Sequence, residues 1–118
     1  IYLTSPAEGQ DAVLAWDLAG KQLWETRLGP QSDPKHRTLA SSCNASPVTD
    51  GRGIFVRFRS GILAALEFDG RVRWKVNLTE RFGQERLFWD SGTSPVVTDQ
   101  FVILTRLHQG DSWVAAFD

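Results

Sequence analysis

The chain has 118 residues, 42% of them hydrophobic and 23% charged, with 13 Lys and Arg against 14 Asp and Glu and a formal net charge of −1. Balanced charge without a basic block excludes an extended nucleic-acid surface, which needs clustered cations to displace counterions. Apolar runs such as Ala12–Trp16 and Ile62–Leu66 are five residues long, far short of the roughly 20 that a membrane-crossing helix requires. The single cysteine, Cys43, excludes an internal disulfide framework and a Cys-rich zinc site. The composition is that of a folded domain and not of a disordered segment. With no signal peptide and no methionine, the chain is expected to begin after processing or to be cut from something longer.

Taken in chain order, the sequence repeats itself. Ala12–Leu28 set on Ile62–Leu78, a shift of 50 without a gap, pairs Ala15 with Ala65, Gly20 with Gly70, Trp24 with Trp74 and Leu28 with Leu78. Asp17 and Glu67 keep their charge, as do Lys21 and Arg71. Four identities in 17 positions exceed the roughly one that average residue usage provides. A third copy opens at Trp113, where WVAAFD lies on ILAALE, and it stops at Asp118. A second landmark, Ser46-Pro47-Val48, recurs as Ser94-Pro95-Val96.

Each unit reads as four short strands. In the middle unit these are expected over Ala45–Thr49, Gly53–Arg59, Ile62–Phe68 and Val72–Leu78. They are rich in Val, Ile, Phe and Trp and divided by Asp50-Gly51, Ser60-Gly61 and Asp69-Gly70, dipeptides that supply hairpin turns because Gly takes positive φ without steric cost. Val72, Trp74, Val76 and Leu78 alternate with polar residues, the period of a half-buried strand, and Trp24, Thr26 and Leu28 share the corresponding face. No window carries a helical stripe longer than two turns. The organisation is one partial domain over 1–118: an incomplete unit at 1–28, a complete one at 45–78 and an incomplete one at 93–118. Connectors Gly29–Asn44 and Thr79–Gly92 join them.

The segments Ala15–Trp24 and Ala65–Trp74 resemble the tryptophan-docking motif of the pyrroloquinoline-quinone-type, or quinoprotein-like, β-propeller repeat: Ala-x-Asp, a Gly-Lys turn, then Trp. Its motif residues here are Ala15, Asp17, Gly20 and Trp24, then Ala65, Glu67, Gly70 and Trp74. The Ser-Pro-Val opening of later units is also typical of that family. The resemblance implies an all-β fold of four-stranded antiparallel blades, about two and a half of them, in an open arc. Burying an indole between blades removes about 200 Å² from water, and the acid ending the strand before the turn is expected to accept hydrogen bonds from turn amides. WD and Asp-box repeats fit less well, since no Gly-His pair precedes Trp16-Asp17 and Ala15 stands where an Asp-box has Ser.

Propeller function sits on loops at one rim, and here the connectors share a rim with the turns between second and third strands. The candidate binding residues are His36, Arg37, Arg86, Trp89, Asp90 and His108, with Asp33, Lys35, Cys43, Asn44, Glu80, Arg81, Glu85, Gln109 and Asp111 beside them. Cys43 and His36 lack a third member for nucleophilic catalysis and read as a small buried Cys and a solvated loop His. Glu80, Glu85 and Asp90 read as solvated charges interleaved with Arg81 and Arg86, not as paired glycosidase carboxylates. Trp89 is either an exposed binding residue or a plug between blades. Asn77-Leu78-Thr79 fits a glycosylation pattern.

No catalytic residue, metal ligand or cofactor is assigned. The expected function is a non-catalytic protein- or ligand-binding scaffold, as the family resemblance implies, accessory to a serine/threonine kinase-like or an envelope-assembly protein. The resemblance favours an extracytoplasmic, periplasmic or cell-envelope location. The alternatives are a segment of an alcohol or sugar dehydrogenase using PQQ and Ca²⁺, or a glycan-binding propeller. Those dehydrogenases carry an adjacent cysteine pair, and this chain has Ser42-Cys43 instead. Expected partners are the remaining blades of a parent propeller, another copy of the chain, or a docked protein. With unpaired strand edges at either end of the arc, the isolated chain is expected to self-associate; light scattering that shows a stable monomer at high concentration would contradict this.

Overall fold

In the computed structural model, which describes residues 1–36 and 38–118, the chain forms three antiparallel sheets and one helical turn. The first sheet is β1 (Tyr2–Ala7), β2 (Gln10–Trp16) and β3 (Gln22–Pro30) in that order. The second is β4 (Val48–Thr49), β5 (Ile54–Arg57), β6 (Ile62–Leu66) and β7 (Val72–Asn77), also in chain order. Helix α1 (Leu78–Phe82) follows, and the third sheet is β8 (Val96–Val97), β9 (Val102–Arg106) and β10 (Trp113–Phe117). All neighbours are antiparallel. The sheets are thus an incomplete propeller, with the four-stranded blade between the two three-stranded ones.

Some element bounds differ from the sequence expectation. β3 runs on to Pro30, two residues into the expected first connector, because Gln10 and Pro30 pair across the β2–β3 ladder and Gln31 donates to Gly9. Strands β4 and β8 are only two residues each and begin right after Pro47 and Pro95, which have no N–H to donate to a ladder. The second connector opens as helix α1. Asn77 caps it, its side-chain oxygen accepting the Thr79 and Glu80 amides at 3.0 and 3.3 Å while its Nδ2 donates to Glu80 at 2.9 Å. The Asn of the glycosylation pattern is therefore committed to a helix cap.

Both faces of the middle blade are covered, and every residue of β5 is buried. One alternating set, Ile54, Val56, Phe58, Ala64 and Leu66, packs on Val13 and Leu28 of the first blade. The other, Phe55, Leu63, Ala65 and Leu78, packs on Val102, Leu104 and Phe117 of the third. Repeat-related residues do the same work: Val13 and Leu63 are both fully buried, and Leu28 and Leu78 both nearly so.

The docking tryptophans complete the two seams. Trp24 on β3 donates Nε1–H to the Phe68 carbonyl of the next blade at 2.9 Å, and Thr26 donates to the Gly70 carbonyl at 2.6 Å. Tyr2 lies tilted against Trp24 with centroids 5.8 Å apart, and Phe55 holds the same position beside Trp74 at 6.3 Å. Tyr2 and Phe55 are register-equivalent, opposite Ala15 and Ala65 respectively. The acid before the turn behaves differently in the two copies. Asp17 accepts the Ala19 and Lys21 amides, both at 2.9 Å. Glu67, one methylene longer, instead takes the Arg73 guanidinium at 2.7 Å, and Asp69 caps its own turn through the Arg71 amide at 3.0 Å.

Gly70, at φ +90°, lies under the Trp24 ring, where a Cβ would come within 2.8 Å of the indole. Gly20 has almost the same φ, +82°, but open space around it. Gly70→Ala should therefore cost the left-handed backbone strain plus overpacking of the seam, about 3 kcal/mol, against about 1 kcal/mol for Gly20→Ala. Urea titration of the two variants measures the difference, and equal losses would contradict this account of the seam.

Candidate functional site on the connector rim

Because each connector leaves the outermost strand of one blade and enters the innermost strand of the next, both connectors run along one rim. They are tied there to each other and to the turn between β5 and β6. Asp90 is the knot. Its side chain, 1% exposed, accepts the amides of Lys35 (2.9 and 3.1 Å) and His36 (3.2 Å) and forms an ion pair with Arg59. Burial pushes the Asp90 carboxyl up, but those two amides and the Arg59 guanidinium outweigh it and hold the group below the ordinary carboxylate range. Lys35 Nζ donates to the Leu87 carbonyl, His36 Nε2 to the Phe88 carbonyl at 3.2 Å, and Arg59 Nε to the Asp33 carbonyl at 2.7 Å.

This arrangement corrects three sequence expectations. Asp90 and Glu85 are not solvated charges interleaved with Arg81 and Arg86. Glu85 pairs at 2.5 Å with Arg57, which is 5% exposed and also donates to the Ser91 hydroxyl. His36 is not a solvated loop residue: its ring lies 4.6 Å from Trp89 and 5.4 Å from Phe88. Cys43 is half-buried instead of buried, with its Sγ 3.4 Å from the Ser42 hydroxyl. Burial pushes its thiol up, away from the reactive thiolate form.

Of the candidate binding residues, His36, Trp89 and Asp90 come together at the knot. Trp89 is not a plug between blades. It stands 59% exposed beside Phe88 at 65%, the two rings edge to face at 5.0 Å. His108 lies apart, at the turn between β9 and β10; its Nδ1 accepts the Arg86 amide at 3.0 Å and its Nε2 donates to the Asp111 carbonyl at 2.8 Å. Arg37 lies outside the described residues. A groove of about 670 Å³, lined by Lys35, His36, Arg86, Leu87 and Phe88 among others, runs between the two groups. Among the described residues no three His, Cys, Asp or Glu side chains converge as a cation site.

A family model for the outer membrane protein assembly factor BamB, of the PQQ type, matches residues 9–118. The chain belongs to that PQQ-type repeat family. No curated protein matches the chain. Family membership agrees with the blade architecture and with the tryptophan seams, and it makes the chain a propeller-repeat module. Among the described residues no helix is long and apolar enough to cross a membrane.

Sequence reading missed the arginines of the rim, Arg57, Arg59 and Arg106, and the acid Asp11. The available signal was a charged residue at the end of an otherwise apolar strand, as in Ile54–Arg57 and Val102–Arg106. Asp11, at the β2 end of the first seam, is fully buried, and neither carboxylate oxygen meets a donor in normal hydrogen-bond geometry. Burial raises its pKa to about 6, opposed only in part by the Ser60 hydroxyl. The folded value lies above the unfolded one of 3.8, so the native state binds this proton more tightly. Asp11 thus favours folding most below pH 4, and that contribution is lost as pH rises through about 6, a swing of up to ~3 kcal/mol. Thermal melts from pH 4 to 7 should show it. Asp11→Asn should be more stable than the parent at pH 7 and nearly flat across the same range, and a variant with the parent's slope would contradict the assignment.

Proposed function

We propose that the chain is a non-catalytic docking module of a β-propeller protein and captures a protein partner on its connector rim. The observation that carries this reading is the pair Phe88 and Trp89. Two large rings stand more than half exposed on a loop that is otherwise immobilised by Asp90, Lys35 and His36. An exposed aromatic held rigid costs little conformational entropy when a partner covers it, which is how binding hot spots work. The family's description as an outer membrane protein assembly factor supports a place at the cell envelope. The buried, paired state of Glu85 and Asp90 and the raised thiol of Cys43 support a role without chemistry of their own.

Replacing Phe88 and Trp89 together by Ala should leave the melting temperature within a few degrees, because both rings are solvent-facing. Photo-crosslinking from position 87 in envelope extracts should then lose a discrete crosslinked partner by at least tenfold relative to the parent chain. Undiminished crosslinking would overturn the rim as the docking surface. Titration of the intact protein with PQQ and Ca²⁺ addresses the dehydrogenase alternative: an absorbance change or a thermal stabilisation would overturn the non-catalytic reading.

A further inference from the structure

A guanidinium stays charged at any physiological pH, and burying one without a counter-charge is costly. Arg57 and Arg59 meet Glu85 and Asp90. Arg106, on the far side of the same seam at the end of β9, has no such partner. It is 6% exposed, and no carboxylate lies within ion-pair distance among the described residues. Its Nη1 and Nη2 donate to the carbonyls of Gly83 and Phe82, each at 2.7 Å, and its guanidinium lies 5.1 Å from the Trp113 ring centroid. These contacts satisfy two donors but cancel none of the charge, and the buried Nε meets no acceptor.

Arg106 lines a recess of about 350 Å³ together with Arg86, His108 and Asp111. Arg86 is pinned by its backbone: its amide donates to His108 Nδ1 at 3.0 Å, and its carbonyl accepts the Gln109 amide at 2.7 Å. Its guanidinium has no partner among the described residues, so two guanidinium groups without ion-pair partners share a recess that Asp111 also lines. The recess shares Gln84 and Arg86 with the groove that Leu87 and Phe88 also line.

We infer that the Arg86–Arg106 recess receives a peptide carboxylate, with the neighbouring apolar residue of that peptide resting on Leu87 and Phe88. The inference rests on the rim being a protein-docking surface and names the chemistry of what docks there. The guanidinium fork matches a carboxylate. Asp111 in the recess and Glu85 in the adjoining groove disfavour a dianionic phosphate more than a monoanion, and the chain's net charge of −1 provides no general attraction to an anionic lipid surface. The apolar shelf beside the two cations requires a ligand that presents both kinds of group within a few residues.

The test is selection of random dodecapeptides displayed on phage against the full chain, followed by synthesis of the winners with free and with amidated C-termini. Selected peptides should carry Asp or Glu beside an aliphatic or aromatic residue. Changing that acid to its amide should weaken binding about tenfold, the scale of one charged hydrogen-bonded pair. Arg86→Gln in the protein should cause the same loss, and the two changes together should cost no more than either alone. Loss on amidation of the C-terminus instead would assign the carboxylate to the peptide's end and equally support the inference. Arg106→Gln should behave as Arg86→Gln does, provided its melting curve shows an intact seam; Arg86, away from the core, carries the test if it does not. Peptides that need Phe88 and Trp89 but bind Arg86→Gln as well as the parent would overturn the carboxylate site and leave the docking rim standing. Peptides indifferent to both sets of variants, or no selection at all, would overturn both. Arg86-dependent sedimentation with phosphatidylglycerol vesicles, or tighter binding of a phosphoserine peptide than of its Glu counterpart, would also overturn the inference.

Discussion

One contact organises this molecule: the Trp24 indole laid over the glycine of the next blade's turn, with its N–H on that blade's Phe68 carbonyl. A β-blade this small cannot bury both its faces alone, and stacking on a neighbour is what makes it stable. The indole supplies a large apolar area for the seam and a single polar atom for alignment. Gly70 is required twice, for a left-handed turn and for the absence of a Cβ where the ring lies. Trp74 occupies the corresponding place in the next unit and packs in the second seam beside Phe55.

The rim follows from the seams. A connector that must pass from the outside of one blade to the inside of the next has a fixed span and a fixed edge to cross. The charges along it are then used to hold it down. Asp90 collects two backbone amides and an arginine, and Glu85 reaches into the second seam for Arg57. Acids that look like a solvent-facing mixture are consumed by the scaffold, and the loop they secure presents Phe88 and Trp89 outward. Two exposed rings are thus carried on a loop that the scaffold itself ties down.

The same electrostatic logic isolates the groups that the scaffold does not use. Asp11 and Arg106 are both buried, at the rim ends of different seams, and neither has an oppositely charged neighbour within ion-pair distance among the described residues. Asp11 can relieve its burial by taking up a proton near pH 6. Arg106 meets only backbone carbonyls and the Trp113 ring among the described residues. The acid therefore makes the fold sensitive to pH, and the arginine makes one recess of the rim sensitive to anions.

Period-two alternation in Val72–Leu78 and the Asp-Gly and Ser-Gly turns made the strands legible in the amino-acid order, because each depends on residues close in the chain, while the seams came from the resemblance that the repeated Trp24 and Trp74 motifs carry. The bounds that moved did so where ladder pairing or a cap intervened, as at Pro30 and Asn77. The rim was legible only as a set of loop residues. Whether Glu85 and Asp90 face water, whether Trp89 stands out or fills a gap, and that Arg57, Arg59 and Arg106 belong with them were decided by packing. A charge's partner and a ring's exposure depend on groups far off in the chain, 28 residues for Arg57 and Glu85 and 55 for Lys35 and Asp90, and no local pattern encodes that distance.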